Sequence, residues 1–250
     1  MDVFGFTRSK LANDYALITA DTHVNSPLVG WEKASAVNHI SPEIGARFAQ
    51  YTATIEAGGK SGSPGVGIQR FIYVQSGKCV LEIGDSDSHS LDAGDYAFLP
   101  ADTQHTISAD QETILVVFEK EYNAHPDFGP PAPVVGKSSD VPGEPFMGDE
   151  DARLQTLLPI QPEFDMAVNI FTYQPGATLP QVEIHTMEHG LKMLAGKGVY
   201  RLSDDYFPVT EGDVIWMASY CPQWFVAMGK TPASYIYYKD IHRDRLSSKL

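Results

Sequence analysis

The sequence is short of cysteine, of long apolar runs, of basic charge and of helical periodicity. Each shortage removes a class of function. Only Cys79 and Cys221 occur in 250 residues, and neither stands in a CxxC or other metal-type spacing. A disulfide framework is therefore excluded, and a reduced compartment is expected. No stretch of about 18 apolar residues is present, so no membrane-spanning helix is expected. The opening MDVFGFTRSKLANDYAL lacks a positive stretch followed by an apolar core. A secretory signal is not expected there, and the expected location is cytoplasmic. Lys and Arg number 18 against 32 Asp and Glu, a net charge of −14, with no basic run. That balance argues against nucleic acid and anionic membranes as partners. Residues 151–158 are the one stretch expected to form a turn or short helix.

What is present is strand material. The chain is 43% hydrophobic and 11% aromatic, a composition able to bury a sizeable core. Short runs rich in Val, Ile, Tyr, Phe and Thr recur: 71–74, 113–118, 167–173 and 235–238. Gly, Asp, Pro and Ser separate them at short intervals, which predicts an antiparallel sandwich or barrel rather than βαβ units. The segment 124–149 holds six of the 17 prolines and has no period. It reads as a linker or extended strap. The expected division is a domain over 1–123, the Pro-rich segment over 124–149, and a second domain over 150–250.

The two halves repeat. Gly77-Lys-Cys-Val-Leu-Glu-Ile, then Gly94-Asp-Tyr-Ala-Phe-Leu-Pro100 and His105, matches Gly196-Lys-Gly-Val-Tyr-Arg-Leu, then Gly212-Asp-Val-Ile-Trp-Met-Ala218 and Gln223. The offset is 119 residues at the first glycine and 118 at the second glycine and at the last polar residue. Each half is thus one copy of a small β domain. The glycines stand where hairpin turns need positive φ.

The second copy carries Glu183-Ile-His185-Thr-Met-Glu-His189-Gly. Positions 183 and 185 face one way on a strand, and a turn can return His189 to that face. Gln223 stands where a fourth ligand is expected. Two imidazoles, a carboxylate and an amide oxygen suit a mid-hard divalent ion such as Mn²⁺ or Fe²⁺, and Zn²⁺ and Ni²⁺ also fit by ligand type. Glu188, of opposite parity, reads as a rim residue. Counting back from Gly77, the first copy has Pro64, Val66 and Arg70 at the ligand positions, and only His105 survives at the fourth. That half reads as a supporting domain without a metal site.

This pattern resembles the cupin superfamily, whose motifs run G(X)5HXH(X)3–4E(X)6G and G(X)5PXG(X)2H(X)3N. Here Gly176, Glu183, His185, His189 and Gly196, then Gly212 and Gln223, keep the ligand spacing. The spacer after Gly176 is one residue longer, and the ligand identities are permuted. The resemblance implies an all-β bicupin, two tandem antiparallel jelly-roll barrels in one chain. The permuted set, with Gly-x-Gly-Val-Tyr-Arg-Leu, Pro-Gln-Trp, Tyr-x3-Lys-Asp and the N-terminal Asp21-Thr-His-Val-x-Ser-Pro, further resembles the (S)-ureidoglycine aminohydrolases, bicupins of purine (allantoin) catabolism. That resemblance implies hydrolytic deamination of (S)-ureidoglycine to (S)-ureidoglycolate and ammonia. It also implies Mn²⁺ held by Glu183, His185, His189 and Gln223, and substrate contacts from Tyr200, Tyr235 and Lys239.

Lys239 and Tyr235 have a case of their own. A carboxylate substrate needs a cation or several donors. Lys239 is one of few cations near the end of a strand, and Tyr235 lies four residues earlier on the same face. Two other readings compete: a cupin dioxygenase, since two His and a carboxylate also describe non-haem iron sites, and a non-catalytic small-molecule-binding bicupin. Exposed sheet edges make self-association into a homo-oligomer expected, with segment 1–50 able to wrap a neighbouring half or subunit.

Overall fold

The structure, a computed structural model, describes residues 5–244. It is almost entirely antiparallel β-sheet, and its regular helices are three 3-10 turns of three residues each. Among the described residues no helix is long and apolar enough to cross a membrane. The chain forms two compact units.

One unit contains Val24–Val141 and Leu158–Asp165. Its ten-stranded sheet curls around Ala53, Ile72, Leu81, Ile107, Leu115 and Val117, all fully buried. The hairpin Lys78–Ile83 and Asp87–Asp92 supplies its far wall. The other unit contains Pro142–Leu157, Met166–Asp244 and the described part of the segment ending at His23. Its eight-stranded sheet runs from Lys10–Leu11 through Tyr15–Ile18, Val214–Met217, His189–Ala195, Ala233–Asp240, Met166–Tyr173 and Asp149–Thr156 to Glu144–Phe146. A three-stranded sheet of Asp205–Thr210, Lys197–Leu202 and Gln223–Ala227 closes the barrel.

The repeated glycines have one physical cause. Gly77 and Gly196 hold φ of 83° and 73°. A Cβ on Gly77 would stand 2.5 Å from Glu112 O, and one on Gly196 would stand 2.5 Å from Pro232 O. Both the left-handed conformation and the backbone approach exclude a side chain.

Three features differ from the sequence reading. Residues 149–156 are a strand, not a turn or short helix: Ala152 to Thr156 pair with Tyr173 to Asn169, and sheet pairing overrides the weak local signal. The Pro-rich segment, read as a linker or extended strap, carries two short paired strands. Val134–Lys137 pairs with Asp95–Leu99 in the first unit, and Glu144–Phe146 pairs with Asp149–Thr156 in the second. Spatial grouping also departs from chain order. The N-terminal strand Tyr15–Ile18 joins Val214–Met217 in the second unit, register Ile18↔Val214 to Tyr15↔Met217. Tyr15 donates to Asp205 Oδ2 at 2.6 Å, and the Arg8 guanidinium grips Asp213 at 2.8 and 3.0 Å. Segment 1–50 is thus divided between the units. Its residues 1–4, and residues 245–250 of the second expected domain, lie outside the described residues.

Candidate metal centre

The site is built at the ends of strands inside the second barrel. His189 is the first residue of His189–Ala195, and Gln223 the first of Gln223–Ala227. Glu183 forms a single bridge to Gln223, Glu183 N donating to Gln223 O at 2.9 Å and Gln223 N to Glu183 O at 3.0 Å. Lys239 pairs directly with His189, and Tyr235 and Tyr237 follow it inward at period two. These side chains meet in a cavity of about 140 Å³, together with Tyr200 and Phe171. That is about five water volumes, well under the 300 Å³ or so of a drug-sized pocket. It admits a small acid rather than a nucleotide or a sugar chain.

The polar atoms are specifically arranged. His185 Nδ1 lies 3.1 Å from Met187 O, so Nδ1–H donates to the carbonyl and Nε2 is the nitrogen turned into the cavity. That Nε2 is 3.1 Å from His189 Nε2 and 3.0 Å from Gln223 Nε2. Tyr200 OH donates to Gln223 Oε1 at 3.3 Å. Tyr237 stacks on the His189 ring with centroids 5.4 Å apart. Tyr173 OH and Tyr235 OH are 3.1 Å apart. Among the described residues, no three His, Cys, Asp or Glu side chains converge closely enough to hold an ion. His185, His189 and Gln223 do converge. The Glu183 carboxyl lines the same cavity and is coupled to His185 and Lys239 through charge.

Burial sets the protonation states. It pushes His189 well below its ordinary value, so the imidazole is neutral and has a lone pair to offer. Burial raises the Glu183 carboxyl, while the His185 and Lys239 charges pull it back. Burial lowers Lys239, and Glu183 opposes the shift. Tyr173, Tyr200, Tyr235 and Tyr237 are all raised by burial, with a further push from Glu183. These phenols stay protonated and act as hydrogen-bond donors, not as bases.

All seven sequence-derived residues line this one cavity. Sequence reasoning missed Tyr237, although its place between Tyr235 and Lys239 at period two marked it. It also missed Phe171 and Phe146, which carry no polar signal. Glu188 is not a rim residue: it is 2% exposed, its amide donates to Asp240 Oδ1 at 2.7 Å, and Trp216 Nε1 donates to its carboxylate at 3.5 Å. Its opposite parity turns it away from the cavity and into the packing on the outer face of the sheet.

The matching position of the first barrel is filled by side chains. Arg70 is 2% exposed; its Nε donates to Glu119 Oε1 at 2.7 Å and its Nη1 to Gly62 O at 2.9 Å and His105 Nε2 at 3.0 Å. His105 Nδ1–H donates to Thr103 O at 2.7 Å. The guanidinium lies 5.2 Å from the Trp31 ring centroid.

Two curled antiparallel barrels, with a His, His and Gln cluster at the strand ends of one, define a bicupin. Residues 43–122 match the description "EutQ-like cupin domain". A relative from Oryza sativa subsp. japonica is 41% identical, covering 98% of this chain and 79% of its own length. The Arabidopsis thaliana (S)-ureidoglycine aminohydrolase is 38% identical over 98% of this chain and 82% of its own length. The crystal structure of the E. coli protein Ylba superposes with a TM-score of 0.85 at 30% identity, covering 95% of this chain and 96% of that one. The chain belongs to the (S)-ureidoglycine aminohydrolase family of cupin proteins.

Proposed function

We propose that this chain hydrolyses (S)-ureidoglycine to (S)-ureidoglycolate and ammonia in purine (allantoin) catabolism, with a Mn²⁺-type ion held by Glu183, His185, His189 and Gln223 in the C-terminal barrel. The observation that carries the reading is one small cavity that combines these donors with an amine and three phenols. His185, His189 and Gln223 stand close enough together to share an ion, with the Glu183 carboxyl lining the same cavity. Two nitrogens bound at right angles with bonds of about 2.1 Å lie about 3 Å apart, and His185 Nε2 and His189 Nε2 are 3.1 Å apart. His185 is held in the tautomer that leaves Nε2 free to ligate, and His189 is neutral. A half-turn of the Gln223 amide would present Oε1 to the imidazoles. A cation would also keep the Glu183 carboxylate ionised against its burial. By ligand type Fe²⁺, Zn²⁺ and Ni²⁺ compete with Mn²⁺.

When bound, such an ion supplies Lewis acidity and a water of lowered pKa. The protein's own residues do the rest. The Lys239 ammonium takes the substrate carboxylate, and the Tyr235 hydroxyl donates beside it. This fixes the α-carbon in one orientation. The Tyr200 hydroxyl lies 3.3 Å from the Gln223 amide; after the half-turn it would accept from that amide's N–H, leaving its own O–H to donate into the cavity. The aromatic walls exclude bulk water. The new C–O bond comes from water, the C–N bond breaks, and the amine leaves as ammonia. The reading also places the chain in the cytoplasm as a self-associating, small-molecule enzyme that binds neither nucleic acid nor membrane.

The test is ammonia release from freshly generated (S)-ureidoglycine, with the enzyme-free rate subtracted. Chelator-stripped protein should be inactive and regain activity with Mn²⁺. Glu183→Ala should weaken metal binding by more than about 100-fold, beyond the effect of losing a group that merely orients a ligand. A wild-type chain that binds one ion yet releases no ammonia above background overturns the reading. Fe²⁺-dependent oxygen uptake would then favour a dioxygenase.

A further inference from the structure

Phe146 comes from the Pro-rich segment that reads as linker, and the function described above assigns it no role. It ends the edge strand Glu144–Phe146, whose register shifts between Pro145 and Phe146. The chain then reverses through Met147 and Gly148, both left-handed with φ of 53° and 86°. That reversal turns the Phe146 ring onto Phe171, with centroids 4.9 Å apart at 77°. Phe146 and Leu154, from the neighbouring strand, line the cavity that holds the ligand cluster. Phe171 beneath is 3% exposed, whereas Phe146 is half-buried, so its ring stands between the cavity and solvent.

Resting on the ureidoglycine reading, we propose that Phe146 is a specificity-determining residue that closes the cavity against ureido acids bearing larger α-substituents. The chemistry agrees. Lys239 and the tyrosines select a small carboxylate with a ureido group, but they do not limit what else the α-carbon carries. A limit on bulk needs a rigid apolar wall. With about 140 Å³ available, removing one phenyl ring from that wall changes the capacity substantially. The edge hairpin is held independently of the ring. Glu144 and Pro145 pair with Leu154 and Arg153, and Arg153 Nη1 donates to Gly143 O at 2.8 Å. The ring can therefore be exchanged without undoing the barrel.

The experiment is calorimetric titration of the Mn²⁺-loaded full chain with two stable analogues that lack the leaving amine, N-carbamoylglycine and N-carbamoyl-leucine. Wild type should prefer the smaller acid. Phe146→Ala should narrow that preference by about tenfold, the usual worth of pocket bulk in discrimination. Phe146→Leu, which keeps most of the wall, should retain the wild-type preference. An unchanged ratio in Phe146→Ala overturns the proposal. So does equal weakening of both acids, which would mark a merely structural ring. Because the ratio is read without turnover, it separates from the ammonia assay. Ammonia release with an unchanged ratio sinks only the wall, whereas a wild type that binds neither acid sinks the ureido-acid reading and the wall with it.

Discussion

Where the C-terminal barrel has His189 paired across the sheet with Lys239, the N-terminal barrel has Arg70 paired with Glu119. Around these pairs the interiors diverge at several matched positions, whereas Ala109 and Ala227 keep the same residue. Phe171, Tyr200, Tyr235 and Tyr237 in one barrel stand where Ala53, Leu81, Leu115 and Val117 stand in the other. The N-terminal barrel supplies its own cation: a guanidinium fixed by a carboxylate, a carbonyl and an imidazole, under an aromatic ring. These groups satisfy one another, so the position matching the cavity is filled. The C-terminal barrel leaves two imidazoles, an amide and a carboxyl facing a cavity. One β framework thus supports either interior. The choice depends on a few side chains at strand ends, because the surrounding sheet hydrogen bonds are indifferent to them.

The comparison breaks most visibly at Arg70. Arg70→Met leaves the half-buried Glu119 and the buried His105 without their partner, and should cost about 3 kcal/mol, the lower end for breaking a buried pair, read as a lowered thermal midpoint. Arg70→Met combined with Glu119→Gln should recover much of that loss. A stable single variant would show that the buried pair does not hold the first barrel.

Next in size is the opposite cation. Lys239→Met should lower kcat/KM on (S)-ureidoglycine by about 10- to 100-fold through loss of a charge-assisted bond worth about 1.5–3 kcal/mol. The melting temperature should stay near wild type. Unchanged kinetics would remove Lys239 from the carboxylate site.

The smallest effect is a pH slope from His105. Burial lowers its pKa below the ordinary 6.5, with the nearby Arg70 charge acting in the same sense. The unfolded chain therefore binds the proton more readily than the folded one. This contribution to stability is fully present above pH 6.5 and declines as pH falls below it toward the folded value. Thermal unfolding from pH 7.5 to 5 should show the decline, and His105→Gln should flatten it. An unchanged slope in the variant would assign the acid sensitivity to other groups.

Much of the site was legible because its information is local. Glu183 and His185 lie two residues apart beside the single Glu183–Gln223 bridge, His189 opens the next strand, and Tyr235 and Lys239 lie four apart on one strand. Each relation spans only a few residues. Gln223 was legible through the repeat, which aligned it with His105. Tyr237 was within reach of the same period-two argument. Phe146 was not, since nothing in a Pro-rich stretch marks an aromatic residue as a cavity wall. Glu188 shows the other limit: parity excluded it from the cavity but could not reveal what covers the opposite face of its strand.

The sequence by itself determined the class of fold, its duplication, and the polar residues that line the cavity of one copy but have no counterpart in the other. Those follow from spacing, periodicity and residue chemistry. Only the tertiary structure decided that Tyr15–Ile18 extends the C-terminal sheet, that residues 149–156 are a strand, and that the Pro-rich segment brings Phe146 to the cavity. Strand pairing joins residues as far apart as Ile18 and Val214 through backbone hydrogen bonds that any side chain can make. Such pairings leave little trace in the local sequence, and which ones form is settled by the burial and hydrogen bonding of the assembled barrel.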